Sequence, residues 1–293
     1  MKLRTIVVGV DFCRPSIEAA RWTACHLAPD ADVVIVHAVD VPAPPSFLRG
    51  RLPPHDELVE TVREGAGKRF EEMGAWTSDP RISLDVRTGP PAETMVEAAD
   101  VHGADLMVVG EHGCRPGLWD LLGSTAERVI ADAAVPVLLG RGLPPAEPER
   151  ILVAVGESEA ARRELAWARF LAGRFGADVI ALHAVAPSYL APLEITANTL
   201  ASVDLEASRK AAREWIAEEA AAAGFGPDEA TIRVEVGDPA HEILAVAAAI
   251  GADLVVMGSR GAGALAGGLA GSVARAVLRR GHDPVLVVGP LGR

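Results

Sequence analysis

Gly103-Ala-Asp-Leu-Met-Val-Val-Gly110-Glu-His-Gly113 and Gly251-Ala-Asp-Leu-Val-Val-Met-Gly258-Ser-Arg-Gly261 are two copies of one passage, each followed by a glycine–serine pair, Gly123-Ser124 and Gly271-Ser272. Gly251, Gly258, Gly261 and Gly271 each lie 148 residues after their counterparts. The apolar run ending in Gly-x2-Gly-x9-Gly-Ser describes a buried strand that passes through a loop into a helix. A spaced glycine set in that place lets backbone N–H groups approach an anion closely. Two copies in one register point to a duplicated nucleotide-binding module.

The duplication runs outward from the loops. Val7-Val-Gly9-Val-Asp11 corresponds to Leu152-Val-Ala154-Val-Gly156, and Val34-Ile-Val-His37-Ala-Val39 to Ile180-Ala-Leu-His183-Ala-Val185. Gly89-Pro-Pro-Ala-Glu93 corresponds to Gly237-Asp-Pro-Ala-His241, and Val135-Pro136-Val-Leu-Leu-Gly140 to Asp283-Pro284-Val-Leu-Val-Val-Gly289. Leu143–Glu149 is proline-rich, acidic and without periodicity, which suits a linker. Two domains follow, at 1–142 and 150–293, with the linker at 143–149.

Within each half, apolar runs alternate with helical patterns. The runs at 5–10, 33–39, 106–109 and 135–139 are nearly unbroken Val, Ile and Leu, as in parallel strands covered on both faces. Ile82-Ser-Leu-Asp-Val86 and Ile232-Arg-Val-Glu-Val236 alternate instead, which predicts exposed edge strands. Asp238-Pro239 reads as an N-cap with proline at the first helical position, followed by an apolar face of Ile243, Val246, Ala247 and Ile250. Ile17, Ala20, Ala24 and Leu27 give the equivalent face after the first strand, and helical patterns also cover about 56–74 and 200–223. A βαβ alternation means a parallel sheet with right-handed crossovers. Ligands in such sheets sit at the carboxyl ends of the strands, where Asp11 and both glycine loops fall. Pro136 and Pro284 suit edge strands, yet neither final run carries a guarding charge. The expectation is that the two final strands pair about a pseudo-two-fold axis.

Bulk properties narrow the function. A chain of 293 residues with 49% hydrophobic residues can bury two cores. A net charge of −12 argues against a sequence-independent nucleic-acid binder. The amino terminus turns at once into a strand-like run without the features of a signal peptide, and no apolar run approaches the roughly 18 residues that span a bilayer. Cytoplasmic residence is expected. Cys13, Cys25 and Cys114 show no Cys-x-x-Cys spacing and read as free thiols in a reducing compartment.

With the strand–Asp, the strand–His-Ala-Val and both glycine loops in hand, the chain resembles the universal stress protein family in its tandem form, over essentially its whole length. The resemblance implies two α/β domains of Rossmann-like, flavodoxin-like, doubly wound fold, each with a five-stranded parallel sheet. It also implies binding of ATP, or of ADP or AMP, with Mg2+ as an accompanying ion to consider, and a role in stress survival through binding rather than catalysis. Dimers in the family often form through the last strand, which here implies an intramolecular pseudo-dimer, with a homodimer and an unidentified protein partner left open.

Residue by residue, Gly110, Gly113 and Gly123 would turn the first loop under the phosphates. Ser124 and Thr125 would open the following helix toward them, and His112 would lie alongside. Ser124-x-x-Glu127 also reads as a capping box, so Ser124 as a plain N-cap stays an alternative. Glu111 is a warning, because a carboxylate repels a triphosphate unless it points elsewhere. Asp11, after Gly9, matches the family's acidic contact to adenine. A carboxylate accepts from the exocyclic amino group, and the plain alternative is a strand-end or capping aspartate. Val39 would pack on the base or simply fill the core.

In the second half Gly156 stands where Asp11 stands in the first, while Ala154 and Val185 match Gly9 and Val39. Its loop, Gly258-Ser-Arg260-Gly261-Ala-Gly263 with Gly267, Gly268, Gly271, Ser272, Val273 and Arg275 beyond, is more open and more basic. The first site is expected to discriminate adenine, and the second to bind phosphates with weaker base choice.

Lys2, Lys68 and Lys210 are the only lysines, which excludes a lysine-bearing P-loop. An adenylating enzyme of the wider adenine-nucleotide α-hydrolase-like group would carry a Ser-Gly-Gly-x-Asp-Ser loop after the first strand. Asp11-Phe-Cys-Arg-Pro-Ser16 does not match it. A ligand-free scaffold is the third reading. His37 and His183 read as satisfied core residues, and no residue set suggests a metal centre.

Overall fold

The computed structural model describes residues 1–27, 29–41, 53–113, 122–158, 160–185, 205–259 and 271–289. The chain divides into two compact units, Met1–Leu143 and Pro144–Gly292. In the first unit β1 (Thr5–Gly9), β2 (Asp32–Val39), β3 (Ile82–Thr88), β4 (Leu106–Gly110) and β5 (Val137–Gly140) lie in the order β3-β2-β1-β4-β5. The described pairings are all parallel. Between the strands run α1 (Arg14–Trp22), α2 (His55–Glu72), α3 (Pro91–His102) and α4 (Ser124–Asp132).

The second unit repeats the plan. Strands β6 (Arg150–Ala154), β7 (Asp178–Val185), β8 (Ala230–Val236), β9 (Leu254–Gly258) and β10 (Val285–Val288) follow the order β8-β7-β6-β9-β10. These strands are parallel as well. Helices α5 (Ala161–Phe175), α6 (Leu205–Ala222), α7 (Pro239–Ile250) and α8 (Ser272–Arg280) alternate with them.

The apolar runs are buried because helices cover them. Ile6, Val7, Val8, Val33, Ile35, Val36 and Leu106 to Val109 make the first core; Ile151 to Val153, Val179 to Leu182 and Leu254 to Met257 make the second. Each such side chain contributes about 1.5–3 kcal/mol when fully buried. Strands β3 and β8 lie at sheet edges and are mostly half-exposed, as their alternation predicts. Both edges carry paired charge, which guards against pairing with a stray strand. Asp85 on β3 accepts from Arg87 at 2.7 Å and from His102 at 2.8 Å. Burial alone would raise its carboxyl, but those two bonds outweigh it and hold Asp85 below its ordinary value. Strand β8 carries the reversed pair, Arg233 donating to Glu235 at 3.0 Å.

Two local readings differ from the sequence expectation. The buried residues of the first helix and the turn after it are Ser16, Ala19, Ala20, Trp22, Thr23 and Leu27, while Ile17 and Ala24 are only half-buried. A π turn at Thr23–Leu27 ends that helix and shifts its phase. At α7, Asp238 caps the helix, accepting the His241 N–H at 2.9 Å, and Ile243, Val246 and Ala247 are buried as expected, but Ile250 is only half-buried.

The repeated Gly-Ala-Asp lead-in has a structural cause. Gly103 (φ 59°) and Gly251 (φ 61°) end α3 and α7 in the left-handed conformation that favours glycine. Asp105 then accepts from the N–H groups of Arg4 and Thr5, at 2.6 and 3.2 Å, fixing the start of β1. Asp253 does the same for Glu149 and Arg150, both at 2.9 Å.

Candidate functional site

Strand order places the site. From β1 the chain winds outward to β2 and β3, then returns to β4 on the other side of β1. The segments after Gly9 and after Gly110 therefore leave neighbouring strands at the switch point of the sheet, where doubly wound folds hold ligands.

In the first unit Asp11 ties these segments together. Its Oδ1 accepts the Cys13 N–H at 3.0 Å and the Ser16 hydroxyl at 2.6 Å. The Asp11 N–H in turn reaches Ser16 Oγ at 3.3 Å. Its Oδ2 faces the glycine loop so closely that a Cβ on Gly113 would stand 2.8 Å from it. The plain strand-end role thus falls on one oxygen of an exposed carboxyl, and the other oxygen faces the loop. Phe12, next in the chain, holds a left-handed φ of 61°, a costly conformation for a bulky residue and one that recurs at functional sites.

The glycine loop is closed at its neck. The Gly123 N–H donates to the Glu111 carbonyl at 2.8 Å, and a Cβ on Gly123 would stand 3.0 Å from that oxygen. The second unit repeats the closure, the Gly271 N–H donating to the Ser259 carbonyl at 2.7 Å.

Gly123 and Gly271 are the N-caps of α4 and α8, and neither helix has a side-chain cap. The capping-box alternative for Ser124 is therefore corrected: Ser124 is the first helical residue, one position too late to cap. Ser124 is exposed and Thr125 half-exposed at a helix end whose N–H groups carry partial positive charge. Ser272 is exposed and Val273 half-buried at the equivalent end.

The warning over Glu111 is answered by Arg141, which follows β5. Its buried guanidinium donates to Glu111 Oε1 at 3.2 Å, so the carboxylate is already paired. His112 is half-buried beside it.

Other expected contacts lie elsewhere. Gly9 faces Met95 of α3, where a Cβ would come within 2.9 Å of the methionine's sulfur and methyl carbon. Val39 and Ala154 are buried core, and Val185 is half-buried at the end of β7. Gly110 and Gly258 end β4 and β9. Arg260, Gly261 and Gly263 lie outside the described residues, as do Gly267 and Gly268. His37 and His183 are ties from the second strand to the end of the first. Each Nδ1 donates at 2.8 Å, to the carbonyls of Val10 and Val155.

The free-thiol reading is overturned for Cys13. Cys13 is disulfide-bonded, whereas Cys25 is a free, exposed thiol.

The second unit holds a residue that motif reading passed over. Glu164 on α5 is 1% exposed and accepts the Gly156 N–H. Its Oε2 has no hydrogen-bond partner among the described residues. Burial pushes its carboxyl up to about 8, against the opposing pull of the Gly156 N–H and the Arg163 charge. The signal was present: a glutamate within the apolar stripe Ala161, Leu165, Ala168, Leu171 is aimed at the core.

Among the described residues, no group of His, Cys, Asp and Glu is placed to hold a metal ion. No described helix is long and apolar enough to cross a membrane.

Known proteins agree with this architecture. The profile of the Universal stress protein family matches residues 2–141 and again 148–289. A universal stress protein of Mycobacterium tuberculosis strain H37Rv is 30% identical over 305 aligned positions, covering 96% of this chain and 95% of its own. One from Mycobacterium bovis is 30% identical over 302 positions, covering 98% and 97%. The crystal structure of a universal stress protein from Archaeoglobus fulgidus superposes with a TM-score of 0.68 over 97% of this chain and 98% of its own. At 22% identity that likeness speaks for the fold alone. Two profile matches, and 30% identity over nearly the full length of both chains, lead to one conclusion: the chain belongs to the universal stress protein family.

Proposed function

We propose that this protein binds adenine nucleotides, ATP foremost, and that occupancy regulates its contacts with partners under stress, with little or no hydrolysis. The observation that carries the reading is the approach of Asp11 Oδ2 to Gly113 beside the uncapped start of α4. A carboxylate oxygen there can accept from the adenine amino group, whereas guanine turns a carbonyl oxygen to the same edge. The α4 N–H groups and the Ser124 and Thr125 hydroxyls suit the phosphates. The Arg141 pairing removes the repulsion that Glu111 would exert. The second unit offers the same helix end with Arg275 in its first turn, but Gly156 supplies no base anchor. It is the phosphate-reading site, with weaker base choice.

The absence of a lysine from either glycine loop supports binding over phosphoryl transfer. Any Mg2+ would arrive with the triphosphate. The test is the nucleotide released on denaturing freshly purified protein, followed by calorimetry with ATP, AMP and GTP. Adenine nucleotide retained or bound in preference to GTP is expected. No binding of any nucleotide would favour a scaffold, and rapid multiple-turnover ATP hydrolysis would favour an enzyme.

A further inference from the structure

Each unit grips one peptide group at the end of its first strand from both sides. In the first unit His37 Nδ1 donates to the Val10 carbonyl at 2.8 Å, and the N–H of the same peptide, on Asp11, reaches the Ser16 hydroxyl at 3.3 Å. In the second, His183 Nδ1 donates to the Val155 carbonyl at 2.8 Å, and the Gly156 N–H is accepted by the Glu164 carboxyl. Counted from Asp11 and Gly156, Ser16 corresponds to Ala161 and Ala19 to Glu164. A hydroxyl, whose charge does not change with pH, has thus been replaced by a carboxyl from further along the helix.

That carboxyl is 1% exposed, and its Oε2 has no hydrogen-bond partner among the described residues. Ionised there, it would be a buried charge with little compensation. Arg163, on α5 itself, is the charge that acts on it. Strand β9 carries no charged residue, and β6 carries Arg150 at its far end, bonded to the Ile250 and Gly251 carbonyls. Strand β7 carries Asp178 at its far end and His183, whose Nε2 lies 3.7 Å from Glu157. On α6, Glu219 is taken by Arg162, Arg209 by Glu206 and Lys210 by Glu214, while Arg213 and Glu218 are exposed to water.

We infer that Glu164 is the positioning residue of the second site: protonated, its carboxyl fixes the Val155–Gly156 peptide at the mouth, and loss of that proton weakens anion binding there. The inference rests on the phosphate-reading role proposed for the second unit. Either response to ionisation acts in the same direction. The carboxylate turns toward water and gives up the Gly156 N–H, or it stays and sets a negative charge beside an anionic ligand. Strands β6 and β9 are neighbours, so Gly156 stands next to the strand that opens toward the start of α8. An anion at that helix end therefore favours the protonated carboxyl, and binding takes up a proton wherever the free protein has lost it. The first site, with Ser16 in this role, lacks the coupling.

The test is ATP calorimetry on the full chain at about pH 7 and about pH 9, each in two buffers of different ionisation heat. The binding event that Asp11→Ala leaves unchanged belongs to the second unit. With the carboxyl titrating near 8, that event should weaken about tenfold at the higher pH and take up nearly one proton per ATP. The first-site event should change little. Glu164→Gln, whose amide oxygen can still accept the Gly156 N–H, should bind alike at both pH values without proton uptake. The Gly156 amide resonance should move with pH in the unaltered chain and stand still in that variant. If the variant does not fold, proton uptake and the Gly156 resonance of the unaltered chain still decide. Equal affinity of the second event at both pH values, with no proton uptake, overturns the inference and leaves the nucleotide reading standing. A pH dependence that survives Glu164→Gln places the proton elsewhere and overturns it too. Absence of a second event at both pH values overturns the phosphate-reading role and the coupling with it, while the Gly156 resonance still decides whether Glu164 holds the peptide.

Discussion

The two units share their skeleton almost bond for bond and differ where a ligand would meet them. Both close the glycine loop through the N-cap glycine, both tie a strand histidine to the end of the first strand, and both fix that strand's start with an aspartate. At the strand end they part. The first unit places Asp11 there, braced by Ser16 and followed by a strained Phe12. The second places Gly156, and the N–H that Ser16 serves in the first unit is served by the buried Glu164. The skeleton is kept by hydrogen bonds that any version of the fold must satisfy. The mouth is free to vary, and under the proposed function that is where ligand choice is set.

The largest effect should come from breaking the feature the units share. Gly123→Val sets a branched side chain against the Glu111 carbonyl and opens the neck of the first loop. ATP affinity of the first site should fall by about a hundredfold, the scale of two lost charge-assisted hydrogen bonds, as read by calorimetry. An unchanged isotherm would show that the loop does not hold phosphate. Asp11→Ala comes next, with about a tenfold loss and a collapse of adenine-over-guanine preference, because one hydrogen bond to a charged acceptor is removed.

Glu164→Gln probes the second unit through pH. The folded carboxyl titrates near 8 and its ordinary value is 4.5. Between those values the folded chain keeps a proton that the unfolded chain has released. The stabilisation is therefore complete below about 4.5 and is lost as pH rises through about 8. Denaturant unfolding of the second unit should weaken by a few kcal/mol across that window. Glu164→Gln should flatten the slope, and a slope identical in both proteins would refute the assignment. The smallest effect is expected from Gly156→Asp. Its Cβ would meet nothing within 4 Å, yet Ala161 leaves it without the brace that Ser16 gives Asp11. A gain of a few-fold in adenine preference at the second site is expected, rising when Ala161→Ser is added.

Much of this was legible in the residues. Unbroken apolar runs named the central strands, alternation named the edges, and the two glycine sets located the loops. The Gly-Ala-Asp lead-in shows in sequence only as a repeat, because the helix end and strand start that its glycine and aspartate serve become visible only in the fold. Arg141 and Glu111 meet only because β4 and β5 are neighbours, and no spacing encodes that. Cys13 carried no periodic signal at all. Glu164 did, as one acidic residue in an apolar stripe, but its partner is a backbone N–H that sequence cannot show.

The central claim is that one chain carries two phosphate cradles and a single complete adenine site. Calorimetric titration of the unaltered protein with ATP and, separately, with GTP tests it most directly. Two ATP-binding events of unequal affinity are expected, the tighter weakened about tenfold by Asp11→Ala, with GTP entering only the weaker. Two equal ATP sites that both reject GTP would contradict it.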